Sequence, residues 1–492
     1  MMYYTFRKGG AAGGGAGVAE YYSRQGKEGQ RMAGGRRGAA TVVIRLAPRA
    51  EAGGGVAAQI VQALTAAMAG GELAAGARLP STRMLARQLG VNPLTVAAAY
   101  RRLAAAGLVA ARVGSGTRVS PLAALPPPPA GGGGGAGDPV AARFPLERLR
   151  RIMDQVLATA GAAAFGYDDP GGLPEFKAAV CAYLAGRGIA AAAERLVVIS
   201  GAQQGLSVLV QALIRRGDWV LVERPTYPGM LRLLQRAGAQ VEGVDLTPEG
   251  PDLRVVERLF QTRPVRLFYT MPAYHNPTGF CQPPAVMDRL LELCRRHGVT
   301  LVEDDAGSDL DYGLGRPPGF AQRAAPGDDL IHLKSFSQLL LPGLRLGFCL
   351  APERTAALLR QVKQESDLMT SGFFQRVLCQ FLANGWFDDW LRELEALERE
   401  RFAALLAVAA GLREAGFQVA PSRGGLRLWV RLPPGTAAER FLATATARAL
   451  PVRGAAEFAT DGAALGDWFV LNAAGFAATA LPALARALAA CR

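Results

Sequence analysis

Only 3 histidines and 6 cysteines occur in the 492 residues. The cysteines, at 181, 281, 294, 349, 379 and 491, form no C-x-x-C pair and no cysteine–histidine cluster of metal-ligand spacing. That pattern excludes a zinc finger or a disulfide scaffold and leaves reduced thiols and no metal as the expectation. The chain does not open on a charged n-region followed by an apolar run and a cleavage site, so a cytoplasmic protein is expected, and Met32 offers an alternative start. Long apolar runs are equally scarce. The uncharged stretch from Trp468 is broken by Asn472, Gly475 and Pro482, so it reads as a strand and a buried helix and no membrane partner is expected.

Acidic residues are rare where basic ones gather. Residues 1–120 hold 16 Lys+Arg against 4 Asp+Glu, a net of +12, which leaves +2 of the total +14 for the remaining 372 residues. A basic N-terminal quarter on a nearly neutral body points to a polyanion partner for that quarter alone. The length suits roughly three domain-sized units. Residues 1–50 are rich in Gly, Ala and Arg without sustained periodicity, which predicts disorder. PLAALPPPPAGGGGGAGDP, 121–139, is a linker with a stiff proline half and a flexible glycine half.

Between these stretches, 51–120 reads as helix, helix-turn-helix and wing. Ile60, Leu64 and Met68 recur at four-residue spacing on a first helix. Ser81 is a good N-cap for a helix to Leu89, Gly90 makes the turn, and Asn92 with Pro93 starts the next helix. ARVGSGTRV then supplies two short strands. The run R-L-P-S-x-R-x-L-A-x-x-L-G-V-x-x-x-T-V with R-x-G-S-G-T resembles the winged helix-turn-helix of GntR-type repressors. The resemblance implies double-stranded DNA as partner. Arg78, Ser81, Arg83, Arg112, Gly116 and Thr117 would lie at phosphates, Asn92 and Thr95 near base edges, and Arg101 and Arg102 further along the recognition helix. Ala98 stands where relatives often place an arginine; it can meet a thymine methyl but cannot make the paired hydrogen bonds that read guanine.

Beyond the linker, RLVVIS, DWVLVE, RLFYTMP, VTLVEDD and DLIHLKSF alternate with helical stretches, predicting an α/β body with a mainly parallel sheet over 140–492. Its motifs resemble fold-type I aminotransferases, pyridoxal-phosphate enzymes with a smaller C-terminal subdomain. GYDDPGG (166–172) is similar to the family's substrate-side glycine loop. In SGAQQGL, the amides of Gly201 and Ala202 would meet phosphate at a helix start. Tyr227 is placed like the tyrosine that stacks on the cofactor ring, although such a residue is also often simply packed. In HNPTG, Asn276 matches the partner of the cofactor's phenolic oxygen. Asp304 matches the aspartate that pairs with the pyridine nitrogen, or else caps a following helix.

SFSQLLLPGLRLGF keeps Ser335 and the phosphate-binding Arg345 of the Schiff-base loop, but the lysine position is Gln338. An amide nitrogen has its lone pair delocalised into the carbonyl and does not condense with an aldehyde, so no catalytic residue is expected. Ala306 replaces a tyrosine, and Val470 in FVLNAAGF replaces the arginine that grips the substrate carboxylate. Lys334, four residues before Gln338, would sit more than about 10 Å from the lost position if the stretch is extended. A solvated or phosphate-neighbouring lysine is therefore expected.

A GntR-type reader joined to such a body resembles the MocR/GabR-type transcription regulators. This implies a homodimer acting on a repeated or palindromic operator, with a small-molecule effector and non-covalent or lost pyridoxal phosphate. The alternatives are a pyridoxal-phosphate-dependent aminotransferase with a vestigial DNA-binding module, and a scaffold that binds neither DNA nor cofactor.

Overall fold

A computed structural model of the chain describes residues 55–69, 72–112, 116–120, 143–448, 450–461, 465–472 and 486. The expected disorder at 1–50, the linker at 121–139 and the helix expected after Asn472 lie outside these residues, Arg486 apart. The chain divides between Ala136 and Gly137 into two compact units.

The first unit holds α1 (Val56–Ala69), α2 (Thr82–Leu89), α3 (Pro93–Ala105), β1 (Val109–Arg112) and β2 (Gly116–Val119). Ile60, Leu64 and Met68 of α1 are buried with Val96, Ala99 and Leu103 of α3, because each set recurs along one helix face. Local chemistry sets the helix limits. Ser81 Oγ accepts from the Met84 amide at 3.3 Å, and Gly90 closes α2 at φ 65°, a left-handed conformation that favours glycine. Asn92 Oδ1 accepts from the Leu94 amide at 2.8 Å, with Pro93 at the first helical position. Buried Tyr100 donates to the Pro80 carbonyl at 2.9 Å, tying α3 to the entry of α2. β1 and β2 pair antiparallel as a wing.

The second unit is built on eight strands: β3 (Leu196–Ile199), β4 (Trp219–Arg224), β5 (Gln240–Thr247), β6 (Gly250–Pro251), β7 (Val265–Thr270), β8 (Thr300–Asp305), β9 (Leu330–Ser335) and β10 (Gly347–Leu350). Their order is β3-β10-β9-β8-β7-β4-β5-β6. The β5-β4-β7-β8-β9 pairs are parallel, while β10 runs antiparallel between β9 and β3. Every residue of β8 and β9 is buried, as expected where helices cover both faces of a parallel sheet.

A second sheet, antiparallel, has the order β11-β12-β14-β13, with β11 at Gln418–Val419, β12 at Arg427–Arg431, β13 at Val452–Gly454 and β14 at Trp468–Asn472. Leu428, Val430, Phe469 and Leu471 bury one of its faces against helices Trp386–Glu414 and Ala438–Ala447. Strand alternation puts Arg427, Trp429 and Val470 on the other face.

Candidate cofactor pocket and nucleic-acid interface

Successive residues of a strand point to opposite sides of the sheet, so β8 and β9 present two different chemistries. One face carries Asp304 and Ser335, and Tyr269 of β7 donates to Asp304 Oδ2 at 2.7 Å. Burial pushes the Asp304 carboxyl up to about 6, against the pull of that hydrogen bond. Residues 306–315 form no helix for Asp304 to cap. Asp305 holds the turn instead, accepting from the amides of Gly307 and Ser308 at 3.2 and 2.9 Å.

Arg345 enters the same face from the loop before β10. Its Nη1 donates to Ser337 Oγ at 3.2 Å and its Nη2 to the Ser200 carbonyl at 2.8 Å. The guanidinium lies across Gly201, where a Cβ would stand 2.6 Å from Nη2 and where φ is 88°; only glycine fits. Gly201 precedes helix Ala202–Leu213; the Gln204 amide donates to the Gly201 carbonyl at 3.1 Å, while the amides of Ala202 and Gln203 precede the first turn's bonds and have no partner within the helix. Arg345, these amides and the Ser335 and Ser337 hydroxyls form a donor set suited to phosphate. Tyr227 is half-buried and donates to Gln203 Oε1 at 2.9 Å. Burial raises its pKa, Asp304 adds to this, and Arg232, Arg427 and Arg345 oppose it, so these four charges act on the phenol. Asn276 is half-buried, and among the described residues its side-chain amide has no hydrogen-bond partner. GYDDPGG follows a 3₁₀ turn, and its Gly171 carbonyl accepts from the Val198 amide of β3.

At the positions where the family resemblance expects a lysine, a tyrosine and an arginine, Gln338 is exposed on the loop after β9, Ala306 is half-buried beyond β8, and Val470 packs with Trp429 and Phe458. The expectation for Lys334 is overturned. It is 1% exposed and lies on the opposite face from Asp304, with Glu303, Asp305 and His332, because it pairs in register with Asp305. Its Nζ donates to Asp305 Oδ2 at 2.8 Å and also pairs with Asp309, which binds Arg187 and accepts from Tyr183 at 2.8 Å. A cavity of about 180 Å³ adjoins this cluster. Lys363 is buried and held by Asp367 at 2.6 Å. Among the described residues, these groups fit the phosphate and ring of pyridoxal phosphate, while Lys334 is turned to the other face and Lys363 is held by Asp367.

On the first unit, Arg78, Ser81, Arg83, Asn92, Arg101, Arg102 and Gly116 are exposed and Thr95 and Thr117 are half-buried. Arg112 lies on β1, and its side chain falls outside the described residues. The Arg78 side chain rests beside Gly116, tying the approach to α2 to the wing. Asn92 Oδ1 is already used as a cap, which leaves its NH₂ group free to donate. Leu94, 74% exposed beside Thr95, went unnoticed in the sequence, although its position outside the buried 96/99/100/103 set signals it. Arg87 and Arg118 are further exposed cations, Arg118 holding the Gly76 carbonyl at 2.9 Å.

Residues 135–488 match the aminotransferase class I and II family, and residues 56–119 match the bacterial regulatory proteins of the gntR family. The chain is 30% identical to the uncharacterized HTH-type transcriptional regulator YdcR of Escherichia coli over 79% of its length and 89% of that protein. It is 30% identical to the probable rhizopine catabolism regulatory protein MocR of Rhizobium meliloti over 71% of this chain and 76% of that one. Among solved structures, the alpha-aminoadipate aminotransferase LysN of Thermus thermophilus, complexed with a phosphopyridoxyl-leucine compound, is similar at a TM-score of 0.64 and 28% identity. The match covers 70% of this chain and 89% of that one. Among the described residues, no helix is long and apolar enough to cross a membrane, and no cluster of His, Cys, Asp or Glu could hold a metal.

Proposed function

The chain belongs to the aminotransferase class I and II family and carries a gntR-family reader ahead of that domain; from this premise we propose that it is a DNA-binding transcription regulator of MocR type whose second domain dimerises and senses a ligand without transaminating. One observation carries the non-enzymatic part of this reading: the lysine nearest in sequence to Gln338 points to the far face of the sheet and is locked in ion pairs there. When bound, pyridoxal phosphate supplies an aldehyde and an electron-withdrawing ring. In this chain Arg345, Ser335 and the amides of Gly201 and Ala202 would hold its phosphate, Tyr227 would cover the ring, and Asn276 and Asp304 would meet its phenolic oxygen and ring nitrogen. Exposed Leu146, Leu157 and Phe165 supply apolar surface for a second copy.

Treatment with pyridoxal phosphate and borohydride is expected to leave Lys334 and Lys363 unlabelled, whereas Gln338→Lys takes up label at position 338. With Ala306 and Val470 unchanged, that variant turns over poorly. Peptide mapping by mass spectrometry reads both results, and a labelled lysine in the unmodified chain, or its sustained transamination of amino acids, would overturn the reading in favour of a working enzyme.

A further inference from the structure

Val470 stands where the family resemblance places a carboxylate-gripping arginine, yet the same face of the second sheet supplies another guanidinium. Arg427 pairs in register with Asn472, and Trp429 pairs with Val470. The α-carbons of Arg427 and Val470 are thus diagonal neighbours, about 7–8 Å apart on adjacent antiparallel strands. The approach to β12 is fastened to the HNPTG loop. The Arg423 amide donates to the Gly279 carbonyl at 3.0 Å, and a Cβ on Gly424 would lie 2.3 Å from the Tyr274 ring and 2.5 Å from the Tyr312 ring. Arg427 is therefore delivered beside the segment that carries Asn276, and its charge acts on Tyr227 and Tyr312.

Arg427 is half-buried, and among the described residues it has no carboxylate or hydrogen-bond partner. Arg453, the like charge near it, is already held by Glu457 at 2.5 Å. A guanidinium withdrawn from water without a partner is costly, and an incoming anion removes that cost. Arg345, from the loop before β10, and Arg427, from β12, both lower the pKa of Tyr227 while Asp304 raises it, so charges carried by both sheets act on one phenol.

We propose that Arg427 is an anion-binding residue of this pocket, taking a carboxylate of a small ligand that reaches toward Tyr227 and Arg345, and that the ligand needs no amino group. The last clause follows from Gln338 and the averted Lys334: with no covalent exchange at the site, recognition rests on charge and shape. The inference rests on the sensing reading above and names the ligand class.

Its test is calorimetric titration of the full chain, without DNA, using glutarate, glutamate and 2-oxoglutarate, which share a carbon skeleton and differ at one carbon. The three are expected to bind within about threefold of one another, and neutral glutaramide far more weakly. Arg427→Met should weaken all three by about tenfold or more, and Arg427→Lys should recover part of the loss. Arg427→Gln serves as a second variant should the methionine variant melt early. Binding of glutamate alone, no measurable diacid binding, or unchanged affinity in both neutral variants would overturn the proposal. Diacid binding with no operator binding would overturn the regulator reading and leave this inference standing.

Discussion

Affinity for duplex DNA is expected to fall roughly 10³-fold between 50 and 200 mM salt if about six phosphates are neutralised, since each contact releases a condensed counterion. The charge inventory supports that number. Among its described residues, the first unit carries seven arginines and a single acid, Glu72. Arg83, exposed in the first turn of α2, is expected to act on phosphate. Arg83→Ala should weaken all sequences alike and lower the salt slope by about one. Base preference should answer instead to α3, where Leu94 and Thr95 lie beside the exposed cap. Asn92 needs care, because an alanine there also removes the helix cap and costs about 1 kcal/mol. Asn92→Ser keeps the cap while removing the amide, so a changed sequence preference in that variant reports base contact rather than loss of α3. Fluorescence anisotropy on operator and scrambled duplexes measures both quantities. If Arg83→Ala shifted preference without lowering general affinity, the orientation of α2 and α3 on DNA would be wrong.

Lys334→Met is expected to destabilise the chain by about 3–5 kcal/mol at pH 7, because removing one partner of a buried ion pair leaves uncompensated charge in the interior. Asp305 would lose its cation, and Asp309 would keep only Arg187 and Tyr183. The pH dependence follows with a definite sign. Burial raises both carboxyls, but Lys334, with His332 acting on Asp305 and Arg187 and Tyr183 acting on Asp309, more than reverses this and holds them below the ordinary carboxylate range. Their contribution is therefore present above the unfolded value near pH 4 and is lost as pH falls toward the folded values. Without the ammonium, burial is opposed at Asp305 chiefly by His332 and the carboxyl shifts toward its neutral form, so the difference between variant and wild type should shrink on acidification. Urea unfolding at pH 7 and pH 4 checks this. A loss below about 1 kcal/mol at pH 7, or one that grows in acid, would contradict the ion-pair account. Because this cluster lies behind the sheet, Lys334→Met should leave the borohydride labelling result unchanged.

What the sequence determined by itself was local chemistry and charge. Ser81, Gly90 and the Asn92–Pro93 pair announce their helix ends because a cap acts within three residues of its own position. That Gln338 cannot condense with an aldehyde is legible for a similar reason: amide reactivity belongs to the side chain, whatever surrounds it. The +12 of the first 120 residues is likewise a sum that no folding changes. Tertiary structure decided the rest. Whether Lys334 faced Asp304 or turned away depended on the register of β9 against β8, where Glu303 meets His332 across 29 residues of chain, and a slip of one residue would have moved every side chain to the other face. Tyr269 meeting Asp304, and the strand of Arg427 fastened to the HNPTG loop, depend on pairings between distant strands and on the contact of one sheet with a loop of the other. Such contacts leave no periodic trace, because each strand reads alike whichever neighbour it finds.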